Sequence, residues 1–143
     1  MNNHQTLLIF TATIALILSS CAPQQVNPDT SVKKNMQEVT MPASNIVFTV
    51  ANTEPRNAQD WQQVKRNALN LVASGEWLLS SPANKDQRVW QQSANTLLAA
   101  ATAVAKAADA NDVEAVNNAG NDLYASCESC HAHYPTKPNF KSY

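Results

Sequence analysis

Residues 57–80 read NAQDWQQVKRNALNLVASGEWLLS and have the most regular apolar spacing in the chain. At about 100° per residue, the apolar and small side chains of this segment fall on one stripe, which consists of Trp61, Val64, Ala68, Leu71, Val72, Gly75 and Leu78. Asn57 is a favourable N-cap, and the acidic residue Asp60 follows in the first turn. The segment therefore predicts an amphipathic helix that buries one face.

A second helix is predicted on the N-terminal side of this segment. Its stripe repeats at intervals of three and four residues and consists of Val32, Met36, Val39, Ala43, Val47 and Val50. Pro42 interrupts the pattern, because a proline ring clashes with the carbonyl group four residues back. The proline either starts a new helical stretch or kinks a continuous one.

Two further helices are predicted on the C-terminal side. One runs from about Asn84 to Ala108, and its alanine-rich part allows close helix approach; its inward positions are Val89, Trp90, Ser93, Leu97, Ala101, Val104 and Ala108. The last begins at Asn111, where Glu114 completes a capping-box pattern. Its inward positions are Val113, Val116, Gly120, Leu123, Cys127, Tyr134 and either Cys130 or His131.

The connections between these segments are short and rich in Pro, Asn and Asp, which suits antiparallel neighbours. A chain of 143 residues has room for one domain, and its two glycines leave little material for hairpin turns or phosphate-binding loops. We therefore expect an all-α, antiparallel, up-and-down four-helix bundle over residues 31–143. The ten Lys and Arg residues against eleven Asp and Glu create no positive field, so nucleic-acid binding is not expected.

The N-terminus has the features of an exported lipoprotein. Residues 7–18 form an uncharged run that is too short to cross a bilayer stably but is typical of a signal-peptide core. The sequence Leu18-Ser19-Ser20-Cys21 resembles the bacterial lipobox, which predicts a signal peptide over residues 1–20 and lipidation of Cys21. The leading MNNHQT lacks the usual Lys or Arg, so simple cleavage with Cys21 as a bystander thiol stays open. Residues 21–30, with two prolines and little apolar bulk, are predicted as the lipidated N-terminus and a flexible tether.

The sequence Cys127-Glu128-Ser129-Cys130-His131 has the spacing of covalent haem attachment. Two thiols at positions i and i+3 lie along one helical face, where both can bond to the vinyl groups of one haem. The histidine that follows offers a ring nitrogen to the iron. We expect one covalently bound haem c, held by Cys127 and Cys130, with His131 as an axial iron ligand. Export agrees with this expectation, because the thioether bonds are made outside the cytoplasm.

Two other uses of these residues stay open. The cysteine pair could form a structural or redox disulfide, although thiol oxidoreductases carry such a pair at the start of a helix that follows a strand. A zinc site could use Cys127, Cys130, His131 and His133. However, two histidines two residues apart on a helix point in different directions, and no second pair completes the site.

A four-helix bundle with a single CxxCH motif near its C-terminus resembles the class II cytochromes c. This family includes cytochrome c prime and its methionine-ligated, low-spin relatives. The resemblance covers residues 31–135 and includes Met36 followed by Pro42-Ala43-Ser44, together with Trp61, Trp90 and Tyr134. It implies that the first helix passes over the haem face opposite the histidine, so that a methionine there completes a six-coordinate iron suited to electron transfer. A lipobox is not a general feature of the family.

Two methionines compete for this second axial position. Met36 lies on the apolar stripe and occupies the position that resembles the ligand of the family, so it is the expected ligand. Met41 lies about 140° further round a continuous helix and is the second candidate, which Pro42 could bring inward by shifting the register. If Met36 only fills space in the core, the iron is five-coordinate and binds NO or CO, as in cytochrome c prime.

We therefore expect a monohaem electron carrier and not an enzyme. Its expected location is the periplasmic side of a bacterial membrane, held through lipidated Cys21. The outer membrane is slightly favoured, because Ala22 stands where a retention signal for the inner membrane would have Asp. The expected partners are redox proteins of unspecified identity, and the family resemblance leaves a homodimer open.

Overall fold

The computed structural model describes residues 28–81 and 86–135 of the chain. Within these residues every regular element is helical and no β-strand is present. The elements are α1 (Pro28–Asn35), a π turn (Met36–Thr40), α2 (Met41–Thr49), α3 (Ala58–Ser80), α4 (Gln87–Asp109) and α5 (Val113–His133). Because α1, the π turn and α2 follow one another without a break, they form one long helical run. Together with α3, α4 and α5, the described residues therefore form four long helices. The all-helical class is confirmed, and the helices are consistent with a four-helix bundle.

Most of the N-terminal predictions lie outside the described residues. This applies to the signal peptide over residues 1–20, to the lipidation site Cys21 and to most of the tether. The first helix begins at Pro28, before the predicted domain boundary at residue 31. Proline suits a first helical turn, because its missing N–H would have no partner there. In the parts of the chain that the structure describes, no helix is long and apolar enough to span a membrane.

The first helical run does not end at Pro42. Thr40 and Met41 both keep right-handed helical backbone angles, and the backbone N–H of Met41 donates a hydrogen bond to the carbonyl oxygen of Met36, five residues back. Pro42 has no N–H to donate, and its ring would crowd a carbonyl group of the preceding turn. The wider π turn directly before it accommodates the ring, so the helix continues through the proline.

The third helix follows the sequence pattern closely. The side-chain oxygen of Asn57 accepts hydrogen bonds from the backbone N–H groups of Gln59 and Asp60, at 2.9 and 3.0 Å. These bonds satisfy two of the unpaired donors of the first turn, so the predicted N-cap is confirmed. The buried positions of α3 are Val64, Ala68, Leu71, Ser74, Gly75 and Leu78.

Helix α4 begins later than predicted. Its N-cap is Asp86, whose carboxylate accepts hydrogen bonds from the backbone N–H groups of Arg88 and Val89 at 3.0 and 3.2 Å. The helix therefore starts at Gln87. The predicted start near Asn84 falls among residues 82–85, which lie outside the described part of the chain.

The predicted N-cap of the last helix is wrong by one residue. Asn111 has a φ of 53° and closes α4, since its N–H and that of Asp112 bond back to the carbonyl groups of Ala108 and Ala107. This is the pairing of a Schellman motif, and Asn tolerates the left-handed conformation that the motif needs. Asp112 is the actual N-cap, because its carboxylate accepts a hydrogen bond from the N–H of Ala115 at 2.9 Å.

The core consists mainly of small and medium aliphatic side chains. The largest fully buried ones are Leu71, Leu123, Val47, Val50, Val104 and Val116. Contacts join α3 and α4 at both of their ends. Near the start of α3, Lys65 forms an ion pair with Asp109 at the end of α4. Near the end of α3, the carbonyl oxygen of Leu78 accepts a 2.8 Å hydrogen bond from the indole Nε1 of Trp90 at the start of α4.

The backbones of α3 and α4 approach closely at Gly75. A Cβ atom at this position would lie 3.0 Å from the Cβ of Leu98 and 3.1 Å from its Cα. Since a backbone atom cannot rotate away, any side chain at residue 75 would push the two helices apart. Gly120, in α5, is also buried, but a Cβ atom there would meet nothing within 4 Å.

We expect Gly75→Ala to lower the free energy of unfolding by about 1 kcal/mol, because the cost of overpacking exceeds the gain in helix propensity. Gly120→Ala is the matched control, and it should raise the free energy of unfolding by up to about 1 kcal/mol. Urea denaturation followed by circular dichroism measures both values. Equal stability of the two variants would show that Leu98 gives way easily.

Candidate haem-attachment site

The CxxCH motif occupies the last two turns of α5. Cys127 and Cys130 are half-buried, and Cys127 packs against the hydrophobic core. His131 is exposed, so Cys130 is the inward residue of the two that the helical pattern left open. Both thiols are free. The motif thus presents its sulfur atoms toward the core, with the imidazole beside them at the surface.

Burial raises the pKa of both thiols above the usual value for cysteine. At Cys127, burial outweighs a hydrogen bond with Ser126 that acts in the opposite direction. At Cys130, burial outweighs a hydrogen bond with the side chain of Ser93 in α4. Redox-active cysteines instead have a lowered pKa, because the thiolate is the attacking species. The environment of the pair does not favour disulfide exchange.

Tyr134 follows the end of α5 and ties the motif to the start of α4. Its ring meets that of Trp90 edge to face, with centroids 5.2 Å apart, and its hydroxyl donates to the carbonyl oxygen of Asp86 at 3.1 Å. Trp90 is only 5% exposed and donates in turn to Leu78 of α3. These contacts hold the end of α5 against the start of α4, which Trp90 joins in turn to α3.

Met36 and Met41 lie one π turn apart. The hydrogen bond from the N–H of Met41 to the carbonyl oxygen of Met36 joins residues i+5 and i, so the two side chains are closer in direction than the roughly 140° expected for an unbroken α-helix. Met36 is half-buried and packs against the core, whereas Met41 is 38% exposed.

The first helical run contacts α5 through Phe48. Phe48 lies seven residues after Met41, which is about two α turns, so Met41 and Phe48 line one flank, and Met36 lies beside it on the more buried side. Phe48 packs edge to face against Tyr124 of α5, with ring centroids 6.1 Å apart. His131 lies seven residues after Tyr124 and therefore on the same side of α5. We call the two facing surfaces the methionine flank and the motif flank.

Sequence reasoning missed a buried polar contact beside the methionine flank. Ser74 of α3 is 1% exposed, and its hydroxyl lies 2.7 Å from both the Asn35 side-chain nitrogen and the Thr40 hydroxyl. Neither Ser74 nor Thr40 was assigned to a predicted stripe. A usable signal exists, because Ser74 lies three residues after Leu71 and four before Leu78, which is the spacing of inward positions.

Two surface clefts lie where α3 begins, with volumes of about 380 and 330 Å³. Trp61, Lys65 and Asp109 line the first, and Val50 and Val64 line the second. Neither cleft contains a residue of the motif or either methionine. Among residues 28–81 and 86–135, no group of three or more His, Cys, Asp and Glu side chains is placed to hold a metal ion. The four-ligand zinc arrangement is therefore not formed in this part of the chain.

The donor groups fit a covalently held haem. Two neighbouring thiols on one helical face and the adjacent imidazole are the groups that c-type attachment requires, and a thioether on the first helical run can serve as a second axial ligand. Comparison with family models, with curated proteins and with solved structures finds no match to this chain. Function therefore has to be inferred from the residues of the site.

We expect the thiols of haem-free, folded protein to react slowly with a thiol reagent at pH 8, because burial raises their pKa and keeps them protonated. A Cys21→Ser background leaves Cys127 and Cys130 as the only thiols. The same protein unfolded in urea is the control and should react faster. The thiols stay protonated to a higher pH in the folded state than in the unfolded chain. The free energy of unfolding should therefore fall as the pH rises above the ordinary thiol pKa. Faster reaction in the folded state would favour a redox-active pair.

Proposed function

We propose that this protein is a monohaem c-type cytochrome that carries electrons and does not act as an enzyme. Cys127 and Cys130 hold the haem through thioether bonds, His131 is one axial ligand of the iron and Met36 is the other. The observation that carries the proposal is the CESCH sequence at the end of α5, with both sulfur atoms on the core side.

The proposed topology is an antiparallel, up-and-down four-helix bundle. The contacts at the two ends of α3 and α4 support it, since Lys65 meets Asp109 while Trp90 meets Leu78. For α4 and α5, the Tyr134 to Trp90 contact pairs the end of one helix with the start of the other. In this topology the first helical run and α5 are neighbours, and Cys127, Cys130 and His131 of α5 together with Met36 of the first run would hold the haem.

Each residue of the site has a distinct task. A bound haem supplies a one-electron couple between Fe(III) and Fe(II). The two cysteines hold it in place and His131 donates an imidazole nitrogen, while the thioether of Met36 favours the reduced state and closes the iron to exogenous ligands. The apolar core against which Met36 and Cys127 pack limits the access of water. None of these tasks requires a proton to move or a substrate bond to break.

The cellular setting of the proposal is the periplasmic side of a bacterial membrane. The lipobox at Leu18-Ser19-Ser20-Cys21 supports lipidation of Cys21, and Ala22 in place of Asp favours the outer membrane. A lipid-modified cysteine followed by a short tether keeps the bundle close to the membrane while leaving its surface free for redox partners. Haem attachment and export agree, because c-type attachment takes place outside the cytoplasm.

We expect the double variant Cys127→Ala and Cys130→Ala to lose covalent haem completely, because no thioether bond can form. Haem staining after denaturing electrophoresis measures the loss. Ser129→Ala is the matched control, since it changes the same motif but spares both thiols, and it should stain like the wild type. Staining of the double variant, or none in the wild type, would contradict the proposal. A wild type without stain would point to a haem-free helical lipoprotein.

Met36→Ala should convert a low-spin iron into a high-spin one with a lower potential and a site open to CO. Met41→Ala should leave the spectrum unchanged, and it is a close control because it removes the same side chain one π turn away. Visible and near-infrared absorption follows the thioether-to-iron band. The opposite pattern would assign the iron to Met41. No effect from either change would place the protein among five-coordinate cytochromes that bind NO or CO.

A further inference from the structure

We infer that Ser74, Thr40 and Asn35 form a clamp that holds the π turn and thereby aims Met36 at the haem. These are positioning residues, because they act through Met36 and do not touch the iron. The inference rests on the proposed function for the identity of the group that Met36 meets. The geometry of the clamp itself depends only on the protein.

The clamp is a closed set of hydrogen bonds between the first helical run and α3. The side-chain nitrogen of Asn35 donates to the hydroxyl of Ser74 at 2.7 Å. The hydroxyl groups of Ser74 and Thr40 are 2.7 Å apart, and that of Thr40 lies 3.4 Å from the carbonyl oxygen of Asn35. If Ser74 donates to Thr40 and Thr40 to Asn35, each hydroxyl proton is used once.

The clamp forms hydrogen bonds at both ends of the π turn. Asn35 is the residue before the turn, Thr40 is its last residue, and both contact the same side chain of α3. Thr40 is 6% exposed and Ser74 is 1% exposed, so these polar groups are out of contact with water. Buried hydroxyl groups are costly unless they are paired, and the turn geometry is what brings all three groups together.

The clamp matters for the iron because it controls the direction of Met36. Met36 is the first residue of the clamped turn, directly after Asn35, and its side chain packs against the core. If the turn relaxed to a uniform α-helix, Met36 would rotate by about 100° relative to α2. Its side chain would then leave the direction in which the proposed function needs it. Polar groups that orient a metal ligand in this way tune its affinity for the metal.

The test uses the full-length protein with its haem and four single variants. Ser74→Ala and Thr40→Val remove a clamp hydroxyl, and Thr40→Val keeps the β-branched shape of threonine. Thr40→Ser retains the hydroxyl. Ser44→Ala is the matched control, because Ser44 is also buried but donates only within its own helix, to the carbonyl oxygen of Met41 at 3.0 Å.

The first measurement is competition by added imidazole, which displaces an axial methionine. We expect Ser74→Ala and Thr40→Val to bind imidazole about tenfold more tightly than the wild type and to show a weaker thioether-to-iron band. Thr40→Ser and Ser44→Ala should match the wild type. Unchanged imidazole affinity in both Ser74→Ala and Thr40→Val would overturn the inference.

The second measurement is amide hydrogen exchange at Met41 in protein produced without haem. Faster exchange in Thr40→Val than in Thr40→Ser is expected, because the Met41 N–H is the donor of the π hydrogen bond. Equal exchange would overturn the clamp itself. A wild type that fails to stain for haem overturns the proposed function and the role toward iron together. If only the inference fails, the wild type still stains for haem and Met36→Ala still changes the spectrum of the iron.

Discussion

The packing of Trp90 is the contact on which the arrangement of the site depends. Its indole is almost fully buried and donates a hydrogen bond to the end of α3. The ring of Tyr134, the residue after α5, packs edge to face against it. One side chain therefore connects three helices at the end where the CxxCH motif lies. The alternative for an indole N–H in an apolar core is to stay unpaired, which is costly, so the position of Trp90 is well defined.

The chemistry of the motif follows from where this packing places it. The two thiols are turned toward the core and have a raised pKa, whereas the neighbouring imidazole is exposed. Such thiols are poor partners in disulfide exchange. The proposed electron transfer needs no more from the protein than firm attachment, two axial ligands and limited access of water.

The first helical run shows how a local irregularity changes the direction of two side chains. Pro42 is accommodated by a π turn, which brings Met36 and Met41 closer in direction than the roughly 140° of an unbroken α-helix. Phe48 of the same run packs against Tyr124 of α5. Met36 is the more buried of the two methionines, because it packs against the core while Met41 is 38% exposed.

Local patterns in the sequence were sufficient for the helices, one capping residue and the motif. Asn57 caps α3 as predicted, because capping and apolar spacing involve only residues a few positions apart. The start of α5 is wrong by one residue, since Asn111 serves the end of α4 through a left-handed conformation that composition alone does not reveal. The π turn was not predicted from Pro42 alone, and the pairing of Ser74 with Asn35 and Thr40 was beyond the sequence pattern because it joins two helices. Only the tertiary structure decided how the first helical run is held to α3, since the hydrogen bonds of Asn35 and Thr40 with Ser74 join residues 39 and 34 positions apart and leave no local pattern.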